Sequence, residues 1–456
     1  MGAEPTLLSA GITDPADLTA LAARERLATG ALSAVELTIS CLRRIAAREE
    51  TVQAWTCLDE QLALTQAQQL DAYRQTGRPL GPLHGLPVGI KDIIDTQDLP
   101  TENGNALDAG RQPEQDAAIV TRLRTAGAVI LGKTVTTECA FLAPAKTRNP
   151  HNPGHTPGGS SSGSAAAVAS GMVPFAVGTQ TGGSVIRPAS YCGVVGFKPT
   201  FGLVPRNGVL RTSRRLDTVG TFGRTIEDAA LLADALAGCD PGDPDTRPMA
   251  PPRLLETALS EPPVTPQLAF VRTPAWADID PDCAEGFAEL VEALGDACDE
   301  VGLPDVFAEG ATAHRRIMMA DIAHNLRRYY DRGSERLAAQ TRSAIEEGRS
   351  IAAVDYLAAN DWREPLYAGL QEIFERFDAI VTPAAPGEAP LGLGSTGSAA
   401  FNVLWSLTGV PAVTLPLLTG ANGMPVGVQL VGPRNDDGRL LRTARWLVER
   451  IRGTER

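Results

Sequence analysis

The chain has 456 residues, 43% apolar and 21% charged, which is enough length to bury a large core without disulfides or metals. A formal net charge of -13 repels phosphate backbones, so nucleic acid is not expected as a partner. No apolar run approaches the roughly 18 residues of a membrane span, and Met1–Ala10 lacks the basic-then-apolar pattern of a secretory signal. The seven cysteines are scattered, without a C-x-x-C pair, and read as reduced thiols of a cytoplasmic protein.

From the N-terminus, Ser33-Ala-Val-Glu36 fits a capping box, with Leu32 and Leu37 as its hydrophobic staple. Leu37, Cys41, Leu42 and Ile45 follow at helical spacing, and 1–80 reads as helical. From Gly81 the texture changes. Short apolar runs at Leu86–Ile90, Ala128–Leu131, Val173–Val177 and Val194–Phe197 alternate with helical stretches at Ala118–Ala126 and Ser164–Ser170. Such alternation predicts buried strands of an α/β sheet covered on both faces. Gly127 and Gly171 fall where helices should end in a left-handed residue. Pro241–Pro266 is proline-rich and reads as surface loop, 283–298 as a helix burying Phe287, Leu290, Leu294 and Cys298, and 308–377 as mostly helical. Strands resume at Ala379–Val381, Ala412–Leu415 and Val426–Val431, before a last amphipathic helix through Leu440, Leu447 and Ile451.

The chemistry concentrates in Thr156–Pro188. Thr181-Gly182-Gly183-Ser184 follows a strand directly, and its glycines permit backbone conformations closed to other residues. Such a turn can aim successive N–H groups into one small space, as an oxyanion hole requires, with its serine placed to attack the carbonyl held there. Upstream, Gly158-Gly159-Ser160-Ser161-Ser162-Gly163 opens a helix, putting its serines near a positive helix end. Either piece alone is no more specific than a linker or tight turn; together they are harder to dismiss.

On these residues the chain resembles the amidase-signature family. The match is densest from Gly81 to Asp228 and rests on the lysine of Gly89-Ile-Lys91-Asp92, the serine of Pro157-Gly-Gly-Ser160 and the serine of Gly182-Gly-Ser184, the two serines being 24 positions apart. Cys192–Thr200, Leu216–Gly220, Gly409–Ala412 and Met424–Gln429 also match. The resemblance implies one α/β domain over 1–456: a mixed central β-sheet covered by helices on both faces, with N-terminal helices 1–80, a signature core 81–228 and a helical substrate cover at about 267–377. It implies Ser184 as nucleophile, Ser160 as a bridging serine on a cis peptide, Lys91 as base, and the N–H groups of Thr181, Gly182, Gly183 and Ser184 as oxyanion hole, with neither cofactor nor metal. A lysine is a base only when neutral, and the apolar run before Lys91 supplies the dry setting that favours this. Ser161, Arg327, Tyr330 and Trp405 are candidate substrate contacts. Two departures stand out: Gln180 where the family often has aspartate, and arginine three rather than two residues after the nucleophile, at Arg187.

Other signals carry less. Gly127–Thr134 spells a Walker A motif, but its middle is itself a strand, so a phosphate cradle is not expected. Gly159–Gly163 spells a nucleophile elbow without a preceding strand. His151 and His155 read as loop braces, and His314 and His324 as ordinary helical positions. The expected function is hydrolysis of a small carboxamide or urea-type bond, by a chain with a small-molecule amide substrate, no membrane partner and allowance for a homodimer. The alternatives are a glutamine amidotransferase A-type subunit working with partner subunits, and a non-catalytic assembly subunit.

Overall fold

The structure is a computed structural model and describes residues 14–250 and 252–454; the reading of Met1–Ala10 lies outside the described residues. Its strands are β1 (Trp55–Leu58), β2 (Pro87–Lys91), β3 (Val129–Thr134), β4 (Phe175–Gln180), β5 (Val195–Lys198), β6 (Thr218–Gly223), β7 (Leu268–Phe270), β8 (Cys298–Glu300), β9 (Ala379–Pro383), β10 (Ala412–Thr419) and β11 (Pro425–Val431). They form one 11-stranded sheet in the order β1-β3-β2-β4-β6-β5-β10-β11-β9-β7-β8. The sheet is mixed: β2 runs parallel to both β3 and β4, whereas β6 is antiparallel to β4 and β5.

Alternation along the strands shows why both faces are covered. Leu268 and Phe270 of β7, with Ala379 and Val381 of β9, pack into one core; Ala269 and Ile380, one residue out of step, pack into another. A strand buried on both sides has no solvated face and reads as a continuous apolar run. The first core takes in the helices Ala34–Val52, Ile226–Leu236 and Asp437–Thr454, the second Glu309–Asn325, Arg363–Phe374 and Val403–Thr408. The region 267–377 also contributes β7 and β8 to the sheet.

Local signals position these elements. The Ser33/Glu36 capping box starts the helix Ala34–Val52. Gly127 and Gly171 follow their helices at φ +83° and +65°. Three readings are corrected. The stretch 1–80 is not all helical, because Trp55–Leu58 is the edge strand β1, paired antiparallel to β3. The helix expected to reach Cys298 ends at Leu294, where Gly295 adopts φ +54°, and Cys298 opens β8. Pro241–Pro266 is not all loop, because Leu254–Leu259 is helical, its first two N–H groups held by the Asp234 carboxylate. All seven cysteines are free.

Candidate active site

β2 and β4 are adjacent parallel strands, and the candidate relay gathers at their C-terminal ends. Lys91, last residue of β2, is fully buried. Its Nζ lies 2.7 Å from Ser160 Oγ and 2.8 Å from Thr179 Oγ1, so its polar contacts are two hydroxyls. Burial drives its pKa well below the ordinary lysine value, opposed by the charge of Asp217. An amine without a carboxylate at contact distance loses hydration and gains no ion pair, so its neutral form is favoured. Ser160 itself follows a cis peptide bond, Gly159–Ser160.

Ser184 sits at the end of the turn leaving β4 and is buried at 8% exposure. That turn is braced from several sides. Gln180 accepts the N–H groups of Val185 and Ile186 at 2.9 and 3.0 Å. Thr181 Oγ1 donates to Asp217 at 2.6 Å, and Ser406 Oγ donates to the Gly182 carbonyl at 2.7 Å. Among the described residues, the N–H groups of Gly182, Gly183 and Ser184 meet no acceptor within the protein. Three adjacent backbone donors are thus left free to meet an acceptor from outside the chain.

The glycines serve this turn differently from the expectation. Neither Gly182 nor Gly183 has a positive φ, so left-handed freedom is not their use. A Cβ on Gly183 would instead run into the side chain of Asn402, which is buried and hydrogen-bonded and would have to move. Glycine is needed at 183 for close approach.

The comparisons with known proteins bear on this geometry. The Amidase family model matches residues 36–441. The chain belongs to the amidase family. It is 34% identical to the A-type subunit of a glutamyl-tRNA(Gln) amidotransferase of Salinispora arenicola (strain CNS-205), across 94% of this chain and 96% of that one. Among solved structures, a native peptide amidase from Stenotrophomonas maltophilia superposes with a TM-score of 0.83 at 30% identity, covering 96% of this chain and 97% of its own. A chain from a vestigial protein complex that reveals the evolutionary origins of an s-triazine catabolic enzyme gives 0.89 at 27% identity, covering 95% and 98%.

Within this amidase-family enzyme, one residue that the sequence did not single out reaches the site. His314, buried on the helix Glu309–Asn325, has Nε2 3.0 Å from the Thr181 carbonyl. Only a protonated Nε2 can meet a carbonyl oxygen, so it donates there. Burial pushes its pKa down to about 4, which keeps the imidazole neutral at ordinary pH. No local signal marks it, because the contact spans 133 positions of chain.

The two departures from the family pattern each have a local role. Gln180 also donates to Ser406 Oγ at 3.1 Å, tying the turn to the helix Val403–Thr408. Arg187 is buried and meets carbonyls, with Nη2 2.5 Å from Gly159 O and Nη1 2.9 Å from Gly397 O. It thereby clamps the loop that carries Ser160. Burial lowers its pKa to about 10, still well within the charged range at neutral pH.

The candidate substrate contacts are placed as follows. Ser161 is fully buried, and its hydroxyl donates to Thr179 O at 3.1 Å and accepts from Thr179 N at 3.2 Å, bracing β4. Trp405 is enclosed in the second core, while its neighbour Val403 lies against Gly182. Arg327 is 73% exposed and 3.5 Å from Asp331. Tyr330 donates to Glu346 at 3.1 Å under the guanidinium of Arg349. His151 and His155 brace loops, through the Cys192 and Ala389 carbonyls at 2.9 and 2.7 Å. Lys133 of the Walker-like run is buried on β3, with Nζ 2.8 Å from Ile94 O. Among the described residues no helix is long and apolar enough to cross a membrane.

Proposed function

We propose that this enzyme hydrolyses a small carboxamide or urea-type bond with Ser184 as nucleophile, Ser160 as relay and Lys91 as base. The observation that carries the reading is the buried Lys91 amine at 2.7 Å from Ser160, with hydroxyls as its hydrogen-bonding neighbours. Neutral Lys91 takes the Ser160 proton while Ser160 takes that of Ser184, whose oxygen adds to the substrate carbonyl. The oxyanion forms against the N–H groups of the 181–184 turn. Lys91, now charged, returns the proton through Ser160 to the leaving nitrogen, freeing ammonia or an amine and leaving an acyl group on Ser184. Water then enters by the same relay and releases the acid.

Ser161 and Trp405 act in this reading as internal braces, and the substrate wall is formed by His314, Val403 and Asn402, which border the turn. A second reading is favoured by the relatives described as A-type amidotransferase subunits: the same relay would release ammonia from glutamine for a partner protein. A panel of primary amides, glutamine and ureas, given to the purified chain alone, separates the two. Steady ammonia release from simple amides supports the hydrolase; release confined to glutamine, and only with a partner added, supports the amidotransferase. Ser184→Ala should lower turnover by at least about four orders of magnitude without unfolding the chain. Wild-type-like turnover in that variant removes Ser184 from the mechanism.

A further inference from the structure

A cavity of about 460 Å³ opens beyond the helix Val403–Thr408, between the Thr200–Leu203 turn, the 244–249 loop and the helix Arg363–Phe374. Arg215, Arg247, Arg363 and Arg434 line it, against two carboxylates, Asp245 and Glu364. Both carboxylates are already engaged. Asp245 lies 2.6 Å from Arg206 and 3.1 Å from Arg214, and Glu364 lies 2.8 Å from Arg434. Among the described residues, no carboxylate comes within ion-pair distance of Arg215, Arg247 or Arg363.

Two of the four arginines have structural duties that explain part of their presence. Arg363 Nε donates to Leu407 O at 3.0 Å and Arg434 Nε to Thr408 O at 2.6 Å, satisfying carbonyls at the C-terminal end of a helix. Arg363 makes no further hydrogen bond among the described residues, so both its terminal nitrogens are left for another acceptor. Arg215 and Arg247 are exposed and make no hydrogen bond or ion pair with the described residues. Burial lowers the pKa of Arg363, and repulsion from Arg434 and Arg215 lowers it further, opposed in part by the carboxylates of Glu364 and Asp245. Four arginines against two carboxylates leave this cavity lined by net positive charge in a chain of net charge -13.

We propose that this cavity binds a small multivalent oxyanion, a phosphate or a polycarboxylate, at a site separate from the amide-cleaving relay. Arginine matches both groups because its planar fork donates in parallel to two oxygens. The site also touches the machinery indirectly: Arg363 and Arg434 hold the last carbonyls of the helix whose Ser406 is bonded to Gly182 O.

The test is calorimetric titration of the purified full-length chain with inorganic phosphate, pyrophosphate and citrate at one fixed ionic strength. One saturable site per chain is expected, and the double variant R215Q/R247Q should weaken it at least about tenfold. The variant R272Q/R376Q removes the same charge from exposed positions outside the cavity and should leave affinity unchanged. Preference for the phosphates over citrate assigns the phosphate class, and the reverse assigns the polycarboxylate class. No saturable binding of any probe, or equal weakening in both double variants, overturns the site. These titrations do not depend on amide turnover, so their outcome is separate from that of the relay.

Discussion

Lys91 and Lys133 stand near the C-terminal ends of neighbouring parallel strands, β2 and β3, both fully buried, and the sheet gives them opposite fates. Lys91 pairs in register with Thr134 and Lys133 with Ile90, so the two side chains point to opposite faces. Lys91 meets the hydroxyls of Ser160 and Thr179. Lys133 meets the carbonyl of Ile94 at 2.8 Å and the carboxylate of Asp92 at 3.5 Å. Burial lowers both pKa values, but the nearby carboxylate limits the fall for Lys133, to about 8, so it remains mainly charged at neutral pH. A buried lysine becomes a base when its neighbours hold no opposite charge, and a structural cation when they do.

The largest effect that tests this contrast is loss of the proposed base. Lys91→Ala should cut kcat/KM by at least about a thousandfold. Lys91→Arg should not restore it, because a guanidinium is never neutral in this range. Wild-type rate in either variant ends the comparison. Lys133→Met should act in the other direction, on stability: Asp92, only 2% exposed, would be left buried and unpaired at a cost of about 3–5 kcal/mol. Denaturant unfolding measures that loss, and kcat of the folded fraction should stay within about threefold, since Lys133 takes no part in the relay. Adding Asp92→Asn should recover part of the stability.

Much of the Lys91 side of this contrast was legible in sequence. The apolar run Leu86–Ile90 announces a buried strand, and a lysine that ends such a strand has no water to face. The Lys133 side was legible too, since a lysine inside a strand-like run cannot sit in a phosphate loop. What sequence did not disclose depends on long-range approach. Helix 309–325 brings His314 to the Thr181 carbonyl only because the second core packs that helix there. Trp405, a candidate substrate contact by sequence, is drawn into the same core with Leu404 and Leu407 beside it. β6, with two glycines and two threonines in six residues, and the three-residue β7 and β8 are too short or too polar for an apolar run to reveal them. Their pairing with longer neighbours makes them strands.

His314 gives an effect of intermediate size. Its imidazole holds the Thr181 carbonyl while Asp217 holds the Thr181 hydroxyl, so one residue of the proposed oxyanion turn is fixed from two sides. His314→Ala should lower kcat about tenfold while KM changes less, because the donors of the turn are loosened rather than removed. His314→Gln keeps a donor on a side chain of comparable reach and should recover part of the loss. Equal loss in kcat and in thermal stability, without rescue by glutamine, would reassign His314 to packing alone.

The smallest effect concerns the one charge that does act on Lys91. Asp217 accepts N–H groups from Thr212 and Ser213 at 2.8 and 2.9 Å as well as the Thr181 hydroxyl, and desolvation pushes its carboxyl up to about 6. Above that pH it is ionised and stabilises the Lys91 ammonium, opposing the effect of burial. In the proposed relay the base is the neutral amine, so activity should rise with pH as Lys91 loses its proton and fall as pH drops through its lowered pKa. Removing the opposing charge should lower that pKa further. Asp217→Asn keeps the side-chain shape and should therefore move the acid limb of the kcat/KM profile to lower pH, with the plateau reduced only by whatever the weakened Thr181 contact costs. A limb that stays in place shows that Asp217 serves only as a hydrogen-bond acceptor, and one that moves to higher pH contradicts the assignment of that limb to Lys91.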